Sequence, residues 1–345
     1  MRNLFCVFIL LFFISCGNNG KEKEKNRTNS KDTITAKFDD LNKKIEESPT
    51  NIDLYFERAK LYVLMQDAGK ALEDMRKVLT VDTNKASYFY TLSDIYFMIG
   101  KAKASKSALE KCISLDPKNT DAILKLAELH FYFKEYPEAI ECTSKALKVD
   151  KFLAKAYFIK GMIYKENGDT ATSVKCFQIT TDMDPKYFKA YEELGLLFFK
   201  KKNKLALDYF ENALKINPKS IDIYYDVAMF YQETKNYKKA IETYFGLLQL
   251  DPKYKNAYYN IGYINLLFYK DYKEAINQFT KAIQVDSAYS EAYYMRGLSY
   301  EESGDKKNAY MNYLKANMLK TNFEEAIEGI NRIEGHKKIN PKKHK

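Results

Sequence analysis

Apolar residues recur along most of this chain at three- and four-residue intervals, the spacing of one face of an α-helix. Short polar breaks separate the runs, and several carry the same dipeptide: Asp116-Pro117, Asp184-Pro185, Asn217-Pro218 and Asp251-Pro252. Aligned on these breaks, the sequence falls into eight repeats beginning at Ile52, Ala86, Thr120, Ala154, Phe188, Ile221, Lys255 and Ser290, most of them 34 residues apart. The repeat from Phe188 is one residue short and that from Lys255 one residue long. Both changes fit in the turn between two helices. Each repeat therefore predicts a pair of helices, and the period is the signal that decides the fold.

Position by position the repeats agree. The fourth is aromatic or aliphatic: Tyr55, Phe89, Ile123, Tyr157, Tyr191, Tyr224, Tyr258 and Tyr293. The eighth is always small: Ala59, Ser93, Ala127, Gly161, Gly195, Ala228, Gly262 and Gly297. Small residues there predict a close crossing of two helices. The second helix repeats a small residue at Ala71, Ser105, Ala139, Ser173, Ala206, Ala240, Ala275 and Ala309. One turn further on the same face comes a larger one, as at Met75, Leu109, Phe177, Phe210, Tyr244, Phe279 and Tyr313.

This pattern resembles the tetratricopeptide repeat (TPR), with aromatic residues in place of its Trp, over residues 52–319. The resemblance implies an all-α fold, a right-handed α-α superhelix (TPR solenoid) of eight helix pairs. The physics agrees: one helix pair cannot bury its apolar face, whereas stacked neighbours bury a continuous one. Phe38, Leu41 and Ile45 predict an N-terminal capping helix over 36–51. Phe323, Ile327, Ile330 and Ile333 share a stripe and predict a C-terminal capping helix over 320–335.

The N-terminus reads as an address. Met1-Arg2-Asn3 is basic and short, and Leu4 to Ile14 is apolar but too short to span a bilayer. Ser15-Cys16-Gly17 follows directly, which resembles a bacterial lipobox with Phe13 where Leu is usual. That resemblance implies a lipoprotein signal peptide over 1–15, cleavage before Cys16, and lipid attachment at Cys16. Residues 16–35 are polar and charged and predict a flexible tether. The chain is thus expected in a bacterial cell envelope, lipid-anchored. Gly17, where Asp would favour inner-membrane retention, points to the outer membrane.

Composition narrows the function. The 345 residues are 46% hydrophobic and 30% charged, as expected of a folded body. The net charge of +10 suggests a nucleic-acid binder until it is localised. The basic tail 336–345, expected to be disordered, carries +5, and only +2 remains over residues 36–335. Phosphate recognition needs clustered charge on a folded face, so no nucleic-acid partner is expected. Cys112, Cys142 and Cys176 are odd in number and scattered, and read as small core residues rather than a disulfide framework. His130 occupies a repeat core position, and His336 and His344 lie in the tail. No cluster of zinc ligands, phosphate loop or nucleophile motif is present. The expectation is a protein that is no enzyme and needs no metal or cofactor.

What the repeat offers is a groove. In TPR proteins the first helices line the concave face, using positions near two, five, nine and twelve. Here positions five and nine of the last three repeats are Tyr225 and Met229, Tyr259 and Tyr263, and Tyr294 and Leu298. These six are the candidate peptide-binding groove; the alternative is that they pack against the next repeat. The chaperone-tail clamp of the family needs Lys at five with Asn at nine, and no repeat has that pair. The expected function is a membrane-anchored scaffold binding protein or peptide partners in its groove. The alternative is an accessory subunit of an envelope enzyme or assembly machine.

Overall fold

The computed structural model describes the backbone of residues 20–335 and the side chains of residues 34–335. The signal segment, Cys16 and the tail 336–345 lie outside the described residues. Every regular element among the described residues is helical. α1 (Gly20–Glu47) comes first. The repeats then supply α2 (Ile52–Leu64) with α3 (Ala68–Val81), α4 (Ala86–Met98) with α5 (Ala102–Leu115), α6 (Thr120–Tyr132) with α7 (Tyr136–Val149), and α8 (Ala154–Glu166) with α9 (Thr170–Met183). After them come α10 (Phe188–Lys200) with α11 (Leu205–Ile216), α12 (Ile221–Glu233) with α13 (Tyr237–Leu250), α14 (Lys255–Ile264) with α15 (Tyr272–Val285), and α16 (Ser290–Glu302) with α17 (Lys306–Leu319). α18 (Glu324–Glu334) ends the series. Eight helix pairs begin at the eight predicted positions. The chain divides into two compact bodies, one ending at Ala190 and the other beginning at Tyr191.

Local chemistry sets each boundary. An Asp or Asn closes seven of the eight second helices, and its carboxylate or amide oxygen accepts from the backbone N–H two residues later. Asp82 does so from Asn84 at 2.8 Å, Asp150 from Phe152 at 2.8 Å, Asp184 from Lys186 at 2.9 Å and Asp251 from Lys253 at 2.9 Å. This Asx turn is what the recurring dipeptide encodes. At the other edge, the turn inside each repeat places one residue in the left-handed region: Gln66, Gly100, Lys134, Gly168, Lys202, Lys235, Lys270 and Gly304. An Asp or Asn then caps several second helices, with Asp67 accepting from Lys70 N at 3.1 Å and Asp271 from Glu274 N at 3.0 Å.

The close crossings come out as predicted. A Cβ on Gly161 would lie 2.5 Å from Cε1 of Phe177, and one on Gly297 2.8 Å from Cδ1 of Tyr313. In both repeats the missing Cβ makes room for a fully buried ring of the second helix. Cys112, Cys142 and Cys176 are buried free thiols within these cores.

Three differences from the sequence reading have physical causes. The extra residue of the seventh repeat is not a longer turn but a π-helical turn at Asn265–Tyr269 that prolongs α14, with Asn265 Nδ2 donating to Ile261 O at 2.9 Å. The missing residue of the fifth repeat shortens the second helix itself, since α11 has 12 residues where α9 and α13 have 14. Finally, α1 starts at Gly20, within the stretch expected as tether and ahead of the expected capping helix. Lys and Glu are good helix formers, so a charged, apolar-poor run does not by itself end a helix.

Both caps cover apolar surface. In the first, Phe38 meets Tyr62 edge-on at 4.7 Å. Arg58 makes a bidentate pair with Asp74, both bonds 2.7 Å, and reaches Asn42 Oδ1 of α1 at 2.8 Å. In the last, Phe323 and Ala326 are buried and Gly329 sits against the Tyr313 ring. Arg332 of α18 clasps Glu301 of α16 through bonds of 3.1 and 2.9 Å.

Candidate functional site

The six predicted groove residues lie on α12, α14 and α16 of the C-terminal body, and all six are half-buried. The structure brings them together in two groups. Tyr259, Tyr263, Tyr294 and Leu298 pack against one buried cluster containing Leu266, Phe279 and Met295, while Tyr225 and Met229 pack against the cluster around Tyr244. Each ring thus has an anchored side, and the alternative of packing on neighbouring helices holds for that side.

A partner for each position-five ring was missed in the sequence. The residue just before the next first helix is aromatic and lies on that ring. Tyr254 lies 5.6 Å from Tyr225, Tyr289 stacks on Tyr259 at 5.3 Å, and Phe323 lies 5.3 Å from Tyr294. In the N-terminal body Tyr187 does the same to Phe158 at 4.9 Å. The signal in the sequence is an aromatic pair about one repeat apart, its second member in the loop just ahead of the next first helix.

Polar groups fill the spaces between these rings. Asn260 Nδ2 donates to Tyr244 Oη at 2.9 Å and reaches Tyr225 Oη at 3.4 Å. Tyr244 Oη donates to Gln232 Oε1 at 3.0 Å. Tyr289 Oη donates to Asn256 Oδ1 at 3.3 Å, and Lys255 sits 4.5 Å over the Tyr289 ring while pairing with Asp286 at 2.5 Å. Burial pushes the Tyr259 hydroxyl up to about 12, helped by the negative charge of Glu291 and by Tyr263 and Tyr294 nearby. Burial also raises Tyr289 and Tyr244. The hydroxyls of Tyr259, Tyr289 and Tyr244 therefore stay protonated and neutral at any physiological pH. By contrast, the hydroxyls of Tyr259, Tyr263 and Tyr294 make no hydrogen bond to another described residue.

The corresponding first-helix face of the N-terminal body is ionic. Lys125 pairs with Asp94 and lies 4.3 Å over the Tyr90 ring, and Lys155 pairs with Glu128 at 3.0 Å. A cleft of about 370 Å³ opens there between Phe56, Lys60, Tyr90, Thr91, Asp116 and Asp121. His130 is a packed histidine whose Nδ1 lies 2.6 Å from Glu135 Oε2, an oxygen that Lys106 also holds at 2.7 Å. No group of three or more metal-ligating side chains occurs among the described residues.

Stacked helix pairs bearing a preformed aromatic face define a helical-repeat scaffold for protein–protein interaction. Tetratricopeptide repeat models match residues 52–85, 86–119, 154–187, 256–289 and 290–323, and a second such model matches 200–261. The chain belongs to the tetratricopeptide repeat family. Among curated proteins, it is similar to the anaphase-promoting complex subunit 3 of Schizosaccharomyces pombe, at 27% identity over 121 residues, 35% of this chain and 18% of that one. It is also similar to a UDP-N-acetylglucosamine–peptide N-acetylglucosaminyltransferase of Giardia intestinalis, at 28% identity over 130 residues, 36% of this chain but 8% of that one. The chain thus spans less than a fifth of the length of either relative. Among solved structures, the C-terminal part of a TPR repeat-containing protein from Cytophaga hutchinsonii matches with a TM-score of 0.50 and 18% identity, covering 80% of this chain and 99% of that one. That likeness concerns the fold.

Proposed function

We propose that this protein is a lipid-anchored, non-enzymatic TPR scaffold of a bacterial envelope that holds an extended peptide segment of a partner along α12, α14 and α16. The observation that carries the groove is the build of the strip. Its rings are fixed by their neighbours, so little freedom is lost on binding, and the hydroxyls of Tyr259, Tyr263 and Tyr294 have no described residue to bond. Rigid aromatic rings with polar tips supply contact area and hydrogen bonds at low entropic cost. The anchor rests on the apolar leader and Cys16, and the envelope location follows from it.

The test uses Tyr259→Phe. The ring keeps its contacts with Phe279 at 5.6 Å and Tyr289 at 5.3 Å, so melting should shift by no more than about 0.5 kcal/mol, the usual span of a neutral surface change. Losing one hydrogen bond to a partner costs about 0.5–1.5 kcal/mol, so capture should weaken roughly twofold to tenfold. Unchanged capture by Tyr259→Phe, together with capture by Tyr259→Ala that falls only as far as folding does, would make the strip a core feature and remove it as a site.

A further inference from the structure

The turns inside the first three repeats expose apolar side chains in adjacent pairs. They are Leu64-Met65 and Met98-Ile99, with Leu64 59% and Met65 53% exposed, and in the third repeat Tyr132 is exposed beside the half-buried Phe133. The fourth repeat has Glu166-Asn167 at the same place, so the apolar edge stops there. Next to these pairs stand Lys101, Lys103 and Lys134, all exposed, while Asp67 is paired with Lys70 and Glu135 is held by Lys106 and His130. The opposite edge of the same repeats is balanced: its loops hold Asp82 with Lys85, Asp116 with Lys118, and Asp150 with Lys151. Successive first helices start side by side, as Tyr88 Oη of α4 and Lys85 Nζ at its N-cap both reach Asp53 of α2, so their C-terminal turns share one edge.

The chain enters from that edge. α1 runs antiparallel to α2, because Phe38 lies against Tyr62 and Asn42 against Arg58. Going back towards the N-terminus along α1 to Gly20 therefore leads towards the edge that holds Leu64 and Met65. We propose that this edge is a bilayer-docking surface: Leu64, Met65, Met98, Ile99 and Tyr132 enter the headgroup boundary of the membrane holding the lipid anchor, and Lys101, Lys103 and Lys134 face its phosphates. The inference rests on the lipid attachment at Cys16 proposed above. A small basic and apolar surface binds weakly alone, but an acyl anchor leaving from the same edge raises its effective concentration at the bilayer.

One feature of α1 opposes contact. From Gly20 to Phe38 a straight helix is about 27 Å long, and a rigid rod of that length would hold the edge away from the bilayer. The run Lys21 to Lys31 carries no apolar residue, so this part of α1 rests on helix propensity alone, and a helix held only by propensity can bend or unwind as the edge settles on a bilayer. Its five basic residues also favour lying along anionic headgroups.

The chain has no Trp, so single introduced tryptophans report without background. Full-length lipidated protein carrying Leu64→Trp, Ile99→Trp or, on the opposite edge, Phe152→Trp is reconstituted into vesicles of phosphatidylethanolamine and phosphatidylglycerol containing brominated acyl chains. Leu64→Trp and Ile99→Trp should lose roughly half or more of their emission, as for side chains ~5–10 Å into the headgroup boundary, while Phe152→Trp keeps its emission. Reversing charge at Lys101, Lys103 and Lys134 together should restore much of the Leu64→Trp signal. Protein that floats with vesicles while all three tryptophans stay unquenched overturns the docking and leaves the anchor standing. Protein that carries no lipid and does not float overturns both. A concentration-dependent blue shift of Leu64→Trp without vesicles would assign the edge to a second copy of the chain instead.

Discussion

Replacing Gly195 and Gly246 by Ala, one at a time, should change stability in opposite directions. Both glycines lie inside helices of the C-terminal body. In an unconstrained helix, Gly to Ala stabilises by about 0.5–1 kcal/mol. At Gly246 the added methyl would find its nearest neighbour, Tyr224 Cε1, at 3.6 Å, an ordinary contact, so the full gain is expected. At Gly195 the new Cβ would fall 2.5 Å from Phe210 Cδ1 and 3.0 Å from its Cζ. Phe210 is fully buried, so its ring cannot swing into solvent. Overpacking of this kind costs about 1–3 kcal/mol, and subtracting the helix gain leaves a net loss of up to about 2.5 kcal/mol. Hydrogen exchange read by mass spectrometry is the fitting assay, because a repeat stack loses stability near the lesion first. Gly195→Ala should speed exchange in α10, α11 and α12 and leave α16 and α17 nearly unchanged, and Phe210→Leu in the same chain should recover part of the loss. Slower exchange in Gly195→Ala, or an equal rise across all helices of the body, would refute the close-crossing account.

Two further outcomes follow from the electrostatics. The hydrogen bonds from Arg332 hold the Glu301 carboxyl below its ordinary value, against the opposing effect of burial. The unfolded chain therefore takes up a proton more readily than the folded one, so the contribution is present above pH ~4.3 and is lost as pH falls through the folded value. Exchange in α18 should rise below pH ~4.3 relative to the rest of the C-terminal body, and Arg332→Ala should remove that pH dependence. Burial pushes the Cys142 thiol up to about 11 and raises Cys112 and Cys176 as well. All three should resist a thiol reagent at pH 8 until the protein is unfolded; fast labelling of any in the native protein would contradict their place in the cores.

Much of this architecture was legible in the residues because it is written once per repeat. Small residues at position eight predicted crossings that the Gly161–Phe177 and Gly297–Tyr313 geometry then shows, and eight copies made the period unambiguous. What escaped notice was written once, or in loops. The π turn at Asn265–Tyr269 arises from a single extra residue, and nothing local distinguishes a prolonged helix from a longer turn. It exposes Leu267, Phe268 and Tyr269, with Phe268 stacked on Tyr237 at 4.0 Å. The site was legible only in part. Positions five and nine placed the six residues on α12, α14 and α16, but their anchoring by Tyr254, Tyr289 and Phe323 needed the fold.

The account's central claim is that the first-helix face of the C-terminal body holds a partner in the cell. The most direct measurement places a photo-crosslinking residue at Tyr263 and, in a separate strain, at Met311, an exposed position on the second helix α17. After illumination of intact cells, a discrete adduct should form from Tyr263, with little or none from Met311, and it should weaken when Tyr259→Phe is added. No adduct from Tyr263, or the same adducts from both positions, would contradict the claim.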